Sequence, residues 1–398
     1  MNKILSIDKR NAVLISMQEL VKQNSQIILD ANKIDMDAYK GGDLAMSDRL
    51  KVDNAKIDGM IESLRQLTEL EDPVGVERFR FTHDNGMQVY NRTATFGTVM
   101  IIYESRPDVT IEAGGIAFKS GNKILLKGGK ESLNSNLAIV SLWHKALKVN
   151  SVSVDWVEYL NYNRSETQAF LENPTQRLDL IVPRGGERLI EFVKQNAKCP
   201  VIVSGRGNNF VYVHKHADLQ MALDVIVNAK TAKISACNAV DKVIIDNDLP
   251  DREKFIHVLF SRLAEHKVQI LGDATFNGYE EVTPVENDNV WYEEFLEYKI
   301  VVGSIANTQE AIQMINKYSG GHSACIVTTA QAAADNFMAA VDCAAVYHNA
   351  STRFTDGFEF GLGGELAIGT DKLHQRGPIG LQHLVTNKWY VHGNGQIR

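Results

Sequence analysis

The chain has 398 residues, of which 44% are apolar and 23% charged, with 8 prolines and a formal net charge of −7. That length outgrows a single core, so two domains are expected, and the composition is that of an ordinary soluble globular protein. The acidic balance, with lysines and arginines scattered rather than clustered, argues against nucleic acid as a partner, and no apolar run reaches the ~20 residues of a membrane-spanning helix.

The N-terminal stretch "MNKILSIDKRNAVLISMQEL" alternates charge with apolar residues instead of forming the apolar segment of a secretory signal. The region it opens reads as two amphipathic helices, the second carrying Leu50, Ile57, Met60, Ile61, Leu64 and Leu67 at helical spacing behind a Ser47 cap. Residues 79–92, "FRFTHDNGMQVYNR", alternate about Asn85-Gly86, a strong hairpin signal, and an exposed hairpin there is available to pair with another subunit. From residue 98 the pattern becomes strand, helix, strand, helix: "TVMIIYES", "VTIEAGGIAFKSG", "KILLK", "ESLNSNLAIVSLWHKAL", "LDLIVP", "GGERLIEFVKQ". It resumes after Cys237 with "KVIID", "PDREKFIHVLFSRLAEH", "KIVVGS" and "SACIVTT", which predicts an α/β protein of two parallel α/β domains. The expected division is a nucleotide-binding domain over 1–235, including an oligomerisation hairpin at about 79–95, and a catalytic domain over 236–370. Residues 371–398 are then a C-terminal return and oligomerisation strand.

Neither GxGxxG nor GxxxxGK[ST] occurs, so a nucleotide needs another mode of binding. Two strand ends instead carry paired glycines beside a cation: Lys127, Gly128, Gly129 and Lys130 in "LLKGGKES", and Arg184, Gly185 and Gly186 in "IVPRGGERL". Glycines at strand-to-helix turns let backbone N–H groups approach phosphate. The plainer reading of each pair is a tight turn, but its recurrence at equivalent places favours phosphate.

Four cysteines, Cys199, Cys237, Cys325 and Cys343, lie far apart without a CxxC pair, which points to a reducing, cytoplasmic setting. Three adjoin apolar runs and read as packed thiols. Cys237 differs, because "TAKISACNAVD" surrounds it with small and polar residues and places Lys233 nearby to favour a thiolate. His214 and His216 in "VHKHAD" have no further ligand at a sensible spacing, so no metal is expected.

Four stretches carry a family resemblance: "YESRPDVTIEAGGIAFKSGNKILLKGGKES", "LIVPRGGERL", "VIVNAKTAKISACNAVDKVII", and the C-terminal run from "AAVYHNASTRFTDGFEFGLGGELAIGTDKLHQRGPIG" to "TNKWYV". They resemble the gamma-glutamyl phosphate reductases, also called glutamate-5-semialdehyde dehydrogenases, of the aldehyde dehydrogenase superfamily, over almost the whole chain. The resemblance implies a cytoplasmic oxidoreductase of proline biosynthesis that reduces L-glutamyl 5-phosphate with NADPH, releasing glutamate 5-semialdehyde and phosphate. It implies a homo-oligomer and a glutamate 5-kinase as supplier of the acyl phosphate.

On the same resemblance, Cys237 is the nucleophile that forms a thioester. Oxidising relatives carry a carboxylate that activates water; the corresponding stretch here, "VSGRGNNFVYV", has no acid. Lys130 stands where NAD-using relatives have a ribose-binding acid, which suits the 2'-phosphate of NADP. Glu294 matches the glutamate that holds the nicotinamide ribose, and is equally consistent with a solvated helix-end acid. Ser105 and Arg106 of "YESRP", with Asn349, Ser351, Thr352 and Arg353 of "NASTRFTDG", form the expected substrate clamp, although arginines also tie loops down. His374 and Arg376 belong to the family motif without an assignable role. Asp108, the Asn208-Asn209-Phe210 run and "NRTATFG" depart from the usual pattern, the first by adding an anion near the expected acyl phosphate, which would hinder binding unless it points away. Two rivals remain: an oxidising dehydrogenase for another small aldehyde, and a catalytically silent nucleotide-binding or assembly protein.

Overall fold

The computed structural model describes residues 4–398, and of Leu44 and Ala45 only the backbone. The chain forms two compact units. One takes the residues up to Val203 together with Gly361–Ala367 and Pro378–Arg398; the other takes Ser204–Phe360 and Ile368–Gly377.

Among the described residues the first unit opens with helices α1 (Ile7–Gln23), α2 (Ser25–Ala38), α3 (Leu44–Leu50) and α4 (Asn54–Glu69), where the sequence pattern predicts two. The first expected helix is divided at Asn24, whose N–H and side-chain amide both return to the Leu20 carbonyl at 2.9 and 2.8 Å. Ser47 falls inside α3 rather than capping the second helix. The cap of α4 is Asp53, which is extended and accepts from the Lys56 N–H at 3.0 Å. The predicted apolar stripe holds, because Ile57, Met60, Leu64 and Leu67 are all buried.

Strands β1 (Glu77–Thr82) and β2 (Gln88–Thr95) make the expected hairpin, with Gly86 at φ +84° in the turn. The C-terminal strand Val385–His392 pairs antiparallel with β2 and completes a three-stranded sheet. The chain then alternates β3 (Thr98–Tyr103), α5 (Val109–Lys119), β4 (Lys123–Lys127), α6 (Leu133–Val149), β5 (Val157–Tyr159), α7 (Arg164–Glu172), β6 (Leu180–Arg184) and α8 (Glu187–Asn196). The strands form a parallel sheet in the order β5-β4-β3-β6. Val99 and Ile101 pack into one core and Met100 and Ile102 into another, so both faces of β3 are covered and its sequence is an unbroken apolar run.

The second unit holds β7 (Asn209–Val213), α9 (Leu219–Thr231), β8 (Val240–Asp246), α10 (Arg252–Glu265), β9 (Gln269–Gly272), β10 (Val282–Pro284), β11 (Lys299–Ile305), α11 (Thr308–Tyr318), β12 (Ser323–Val327), α12 (Gln331–Ala340) and β13 (Ala345–His348). Its seven strands form one parallel sheet in the order β10-β9-β11-β8-β7-β12-β13. This corrects the expected boundary at 235/236. β7 precedes Cys237 in sequence but is hydrogen-bonded between β8 and β12, so it and α9 belong with the second unit. The C-terminal segment is likewise divided, with residues 368–377 in the second unit and 378–398 in the first.

In the first unit, Asp35 of α2 fixes the start of α6. Its buried carboxylate accepts from the N–H groups of Asn134 and Ser135 at 3.1 and 2.8 Å, and from the Ser135 hydroxyl at 2.6 Å. An anion on the first turn also suits the helix dipole. Replacing Asp35 by Ala strands these donors, so Asp35→Ala should cost about 3 kcal/mol of stability, read as a lowered denaturant midpoint at unchanged slope.

Candidate active site

Cys237 lies in a turn between α9 and β8 and is partly exposed. Two contacts fix this turn. Asn209, at the head of β7, donates from its side-chain amide to the Cys237 and Ala239 carbonyls, each at 2.7 Å. Gly207 packs so closely that a Cβ there would run into the Cys237 carbonyl. The unusual Asn208-Asn209-Phe210 run is thereby explained. Asn208 donates to the carbonyls of Trp291 and Tyr318 at 2.6 and 2.7 Å, while Phe210 stacks on Trp291 in the core.

The loop after β13 reaches the same turn. Thr352 donates from its hydroxyl to the Asn238 carbonyl at 2.8 Å, and Asn238 returns its amide to the carbonyls of Arg353 and Thr355, both at 3.0 Å. Next to this exchange, Arg353 has its Nε and Nη1 buried without a hydrogen-bond partner, and the Asn238 Oδ1 is likewise unpartnered. Buried donors left unmatched are costly, and each of these guanidinium N–H groups can donate to an anion. Ser351 accepts from the Arg353 N–H at 3.4 Å. Asn349 is left-handed at φ +58°, and its side chain is committed to the Thr328 backbone through two 2.9 Å bonds. It therefore shapes the loop.

Three other thiols are set apart chemically. Burial pushes Cys199 and Cys343 up to about 11 and Cys325 to about 12. His214 is buried against the Thr328 hydroxyl at 2.8 Å. Arg376 pairs with Asp342 at 2.9 Å and donates to the Thr370 carbonyl at 3.1 Å, which pins the 368–377 segment and gives this motif residue a structural role. Glu294 is half-buried in the extended stretch between a 3-10 turn and β11.

In the first unit the glycine turns are both present, and they differ. Gly128 is required by packing, since a Cβ would strike the Asn136 amide. At Gly129 a Cβ would lie 3.3 Å from the Ser105 nitrogen, and the Ser105 hydroxyl itself is buried without a partner. Lys127 donates to the Gly128 carbonyl at 2.7 Å, while Lys130 is exposed. At the second turn, below Arg184 and Gly185, the Gly186 N–H at the start of α8 donates to the Glu104 carboxylate at 2.8 Å. Glu104 lies within the "YESRP" motif without a role assigned from sequence; its place at the end of β3, beside β6, is visible only in the sheet order. Arg106 pairs with Asp108 at 3.0 Å. Asp108 thus points to an arginine of its own loop, and with it burial pushes the Glu112 carboxyl up.

The family model described as the aldehyde dehydrogenase family matches residues 3–289 and 286–390. The chain belongs to the aldehyde dehydrogenase family, a family of oxidoreductases. Within it, the full-length likeness is to gamma-glutamyl phosphate reductases, as the motifs imply. Relatives of that name from Clostridium botulinum and Agathobacter rectalis are 39% and 41% identical, over 98% and 99% of this chain and 94% and 95% of their own. The crystal structure of gamma-glutamyl phosphate reductase from Thermotoga maritima matches with a TM-score of 0.94 at 38% identity, covering 99% of this chain and 95% of that one.

The thiol chemistry gives a direct expectation. At pH 8 a thiol titrating near 11 is only about one part in a thousand thiolate. Iodoacetamide should therefore label Cys237 well ahead of Cys199, Cys325 and Cys343, the first and last of which should catch up only as the pH approaches 11 and Cys325 later still. Peptide mapping by mass spectrometry reads this; equal rates at all four would remove Cys237 from its special place.

Proposed function

We propose that this enzyme reduces L-glutamyl 5-phosphate to L-glutamate 5-semialdehyde and inorganic phosphate with NADPH, as the second step of proline biosynthesis, by way of a Cys237 thioester. The observation that carries this is the pair of Arg353 donors, Nε and Nη1, buried and unmatched on a loop hydrogen-bonded to Asn238, the residue after Cys237. A dianionic acyl phosphate with its own α-carboxylate is a substrate that such donors suit.

The Cys237 thiolate attacks the acyl carbonyl, the carbon–sulfur bond forms, and phosphate leaves with its electron pair. When bound, NADPH supplies the hydride that reduces the thioester to a thiohemiacetal. Loss of the aldehyde then returns Cys237 as thiolate. Arg353 balances charge on the substrate, Ser351 and Thr352 hold Arg353's loop, Asn349 sets that loop's curvature, and Ser105 and Arg106 are further substrate residues. The sequence "VSGRGNNFVYV" offers no base for water, and its Asn208 and Asn209 are engaged with backbone carbonyls. This favours transfer to hydride over hydrolysis of the thioester.

The residues present fit the cofactor. The orphaned Ser105 hydroxyl and the Gly129 turn make one cradle, while at the second turn the Glu104 carboxylate must give up the Gly186 amide to a phosphate. Lys127, Gly128, Gly129 and Lys130, with Arg184, Gly185 and Gly186, would hold its phosphates, Lys130 reading the 2'-phosphate, and Glu294 its nicotinamide ribose. The units then serve as the NADP-binding and catalytic domains of a cytoplasmic enzyme fed by glutamate 5-kinase. Exposed Phe79, Phe81, Trp389 and Val391 on the three-stranded sheet support a homo-oligomer.

The test runs the reaction backwards. Glutamate 5-semialdehyde, NADP and inorganic phosphate should give reduced cofactor only when phosphate is present. Turnover without phosphate identifies an oxidising hydrolase, and none at all a silent protein. Cys237→Ala should abolish the signal while NADPH still binds. Separately, Arg353→Met should lower kcat/KM for the acyl phosphate by at least about tenfold, since a charge-assisted hydrogen bond is worth roughly 1.5–3 kcal/mol. Unchanged steady-state constants would withdraw Arg353 from the substrate.

A further inference from the structure

A cluster of buried charge lies outside every residue assigned above. Lys230 of α9 and Asp241 and Lys242 of β8 are all buried, with the Lys230 ammonium 2.8 Å from the Asp241 carboxylate. β8 is an inner strand of a parallel sheet, where side chains on both faces are expected to be apolar. Buried charge there is costly, and apolar substitutes are often as stable or more so. Something other than stability accounts for it.

What the cluster touches is the stretch that contains Glu294. Lys242 donates to the Glu293 carbonyl at 2.8 Å, and its ammonium lies 3.9 Å from the centre of the Phe295 ring. Asp241 accepts from the Phe295 N–H at 2.8 Å. The peptide groups on either side of Glu294 are thus each held by a buried charged side chain. Consecutive residues of a regular strand point to opposite faces, but a bulge allows both to serve one segment. Asn209 pairs with Val240 and Phe210 with Lys242, so Asp241 is the extra residue of that bulge. The segment is also over-determined at its far side, where Leu296 is left-handed at φ +53°, a conformation that a leucine keeps only when its surroundings impose it.

We propose that Lys242 and Asp241 are positioning residues that hold the Glu293–Phe295 segment in one conformation, so that Glu294 is presented ready-made to the nicotinamide-side ribose. This rests on the reading of Glu294 given above. Burial is the main cause that lowers Lys242 to about 7, opposed by Asp241 and Glu293 and assisted by Lys230 and Lys299. A lysine is kept where its charge is disfavoured, as expected of a group retained for what it holds. β8 begins three residues after Cys237, so one strand start carries both the nucleophile's turn and the pins for Glu294.

The test compares two ligands. NADPH contains the nicotinamide ribose, and adenosine 2',5'-bisphosphate does not. Binding of each is measured by fluorescence or calorimetry to the parent, Lys242→Met, Glu294→Gln and the double variant. Lys242→Met should keep or raise the thermal midpoint, weaken NADPH about tenfold, leave the bisphosphate unchanged, and add little to Glu294→Gln. If Lys242→Met does not fold, Lys242→Gln gives the same reading, since it is uncharged and too short to reach the Glu293 carbonyl. Full NADPH affinity in the Lys242 variant while Glu294→Gln loses it overturns the positioning role alone. Equal weakening of both ligands overturns it as a general structural effect. Full NADPH affinity in Glu294→Gln overturns the ribose assignment, and this inference with it.

Discussion

The amide of Asn209 gripping the Cys237 carbonyl is the contact on which the Cys237 turn of the second unit depends. A cysteine in an exposed turn has little to hold its backbone still, because the turn belongs to no helix or strand ladder. Here the head of an inner strand supplies the missing partner, and Gly207 lets the strand approach closely enough to do so. Thr352 closes the arrangement from the other side, binding the neighbouring carbonyl and bringing Arg353 with it. The Cys237 turn and the Arg353 loop are therefore both held through the backbone.

Much of this was legible before any coordinates. The Asn85-Gly86 hairpin, the alternation of strands and helices, the glycine turns and the singular surroundings of Cys237 all follow from local chemistry, and local chemistry survives folding. Strand order does not read the same way. Nothing in "NNFVYV" says that it lies between β8 and β12, so the boundary was expected at the cysteine when it falls before β7. The helical region misled for a related reason. Its apolar periodicity runs on through breaks that only Asn24 and Asp53 reveal.

The charged pair in "VDKVIID" is a legible signal of a different kind. An acid and a base inside a run that otherwise has the composition of a buried strand are an inconsistency between local pattern and environment, and such inconsistencies concentrate near function. Asp108 shows the converse. As a departure from the family pattern it suggested interference with substrate, yet it pairs with Arg106 two residues away. Glu104 stands in "YESRP" without a legible role, because its partner Gly186 is brought to it by β3 and β6 lying side by side.

The path of the chain between the units has a consequence for biogenesis. Leu366, Ala367, Ile379, Leu381 and Leu384 belong to the same apolar core as Val13, Leu64 and Ile101. That core is begun by residues made before the second unit and closed by residues made after it. At about 5–20 residues per second, a ribosome needs roughly 10–30 s to make the intervening second unit. Throughout that interval the nascent first unit keeps apolar surface uncovered, which is the condition under which chaperones bind. The inserted unit has no such wait, since its seven strands are complete as soon as residue 348 emerges.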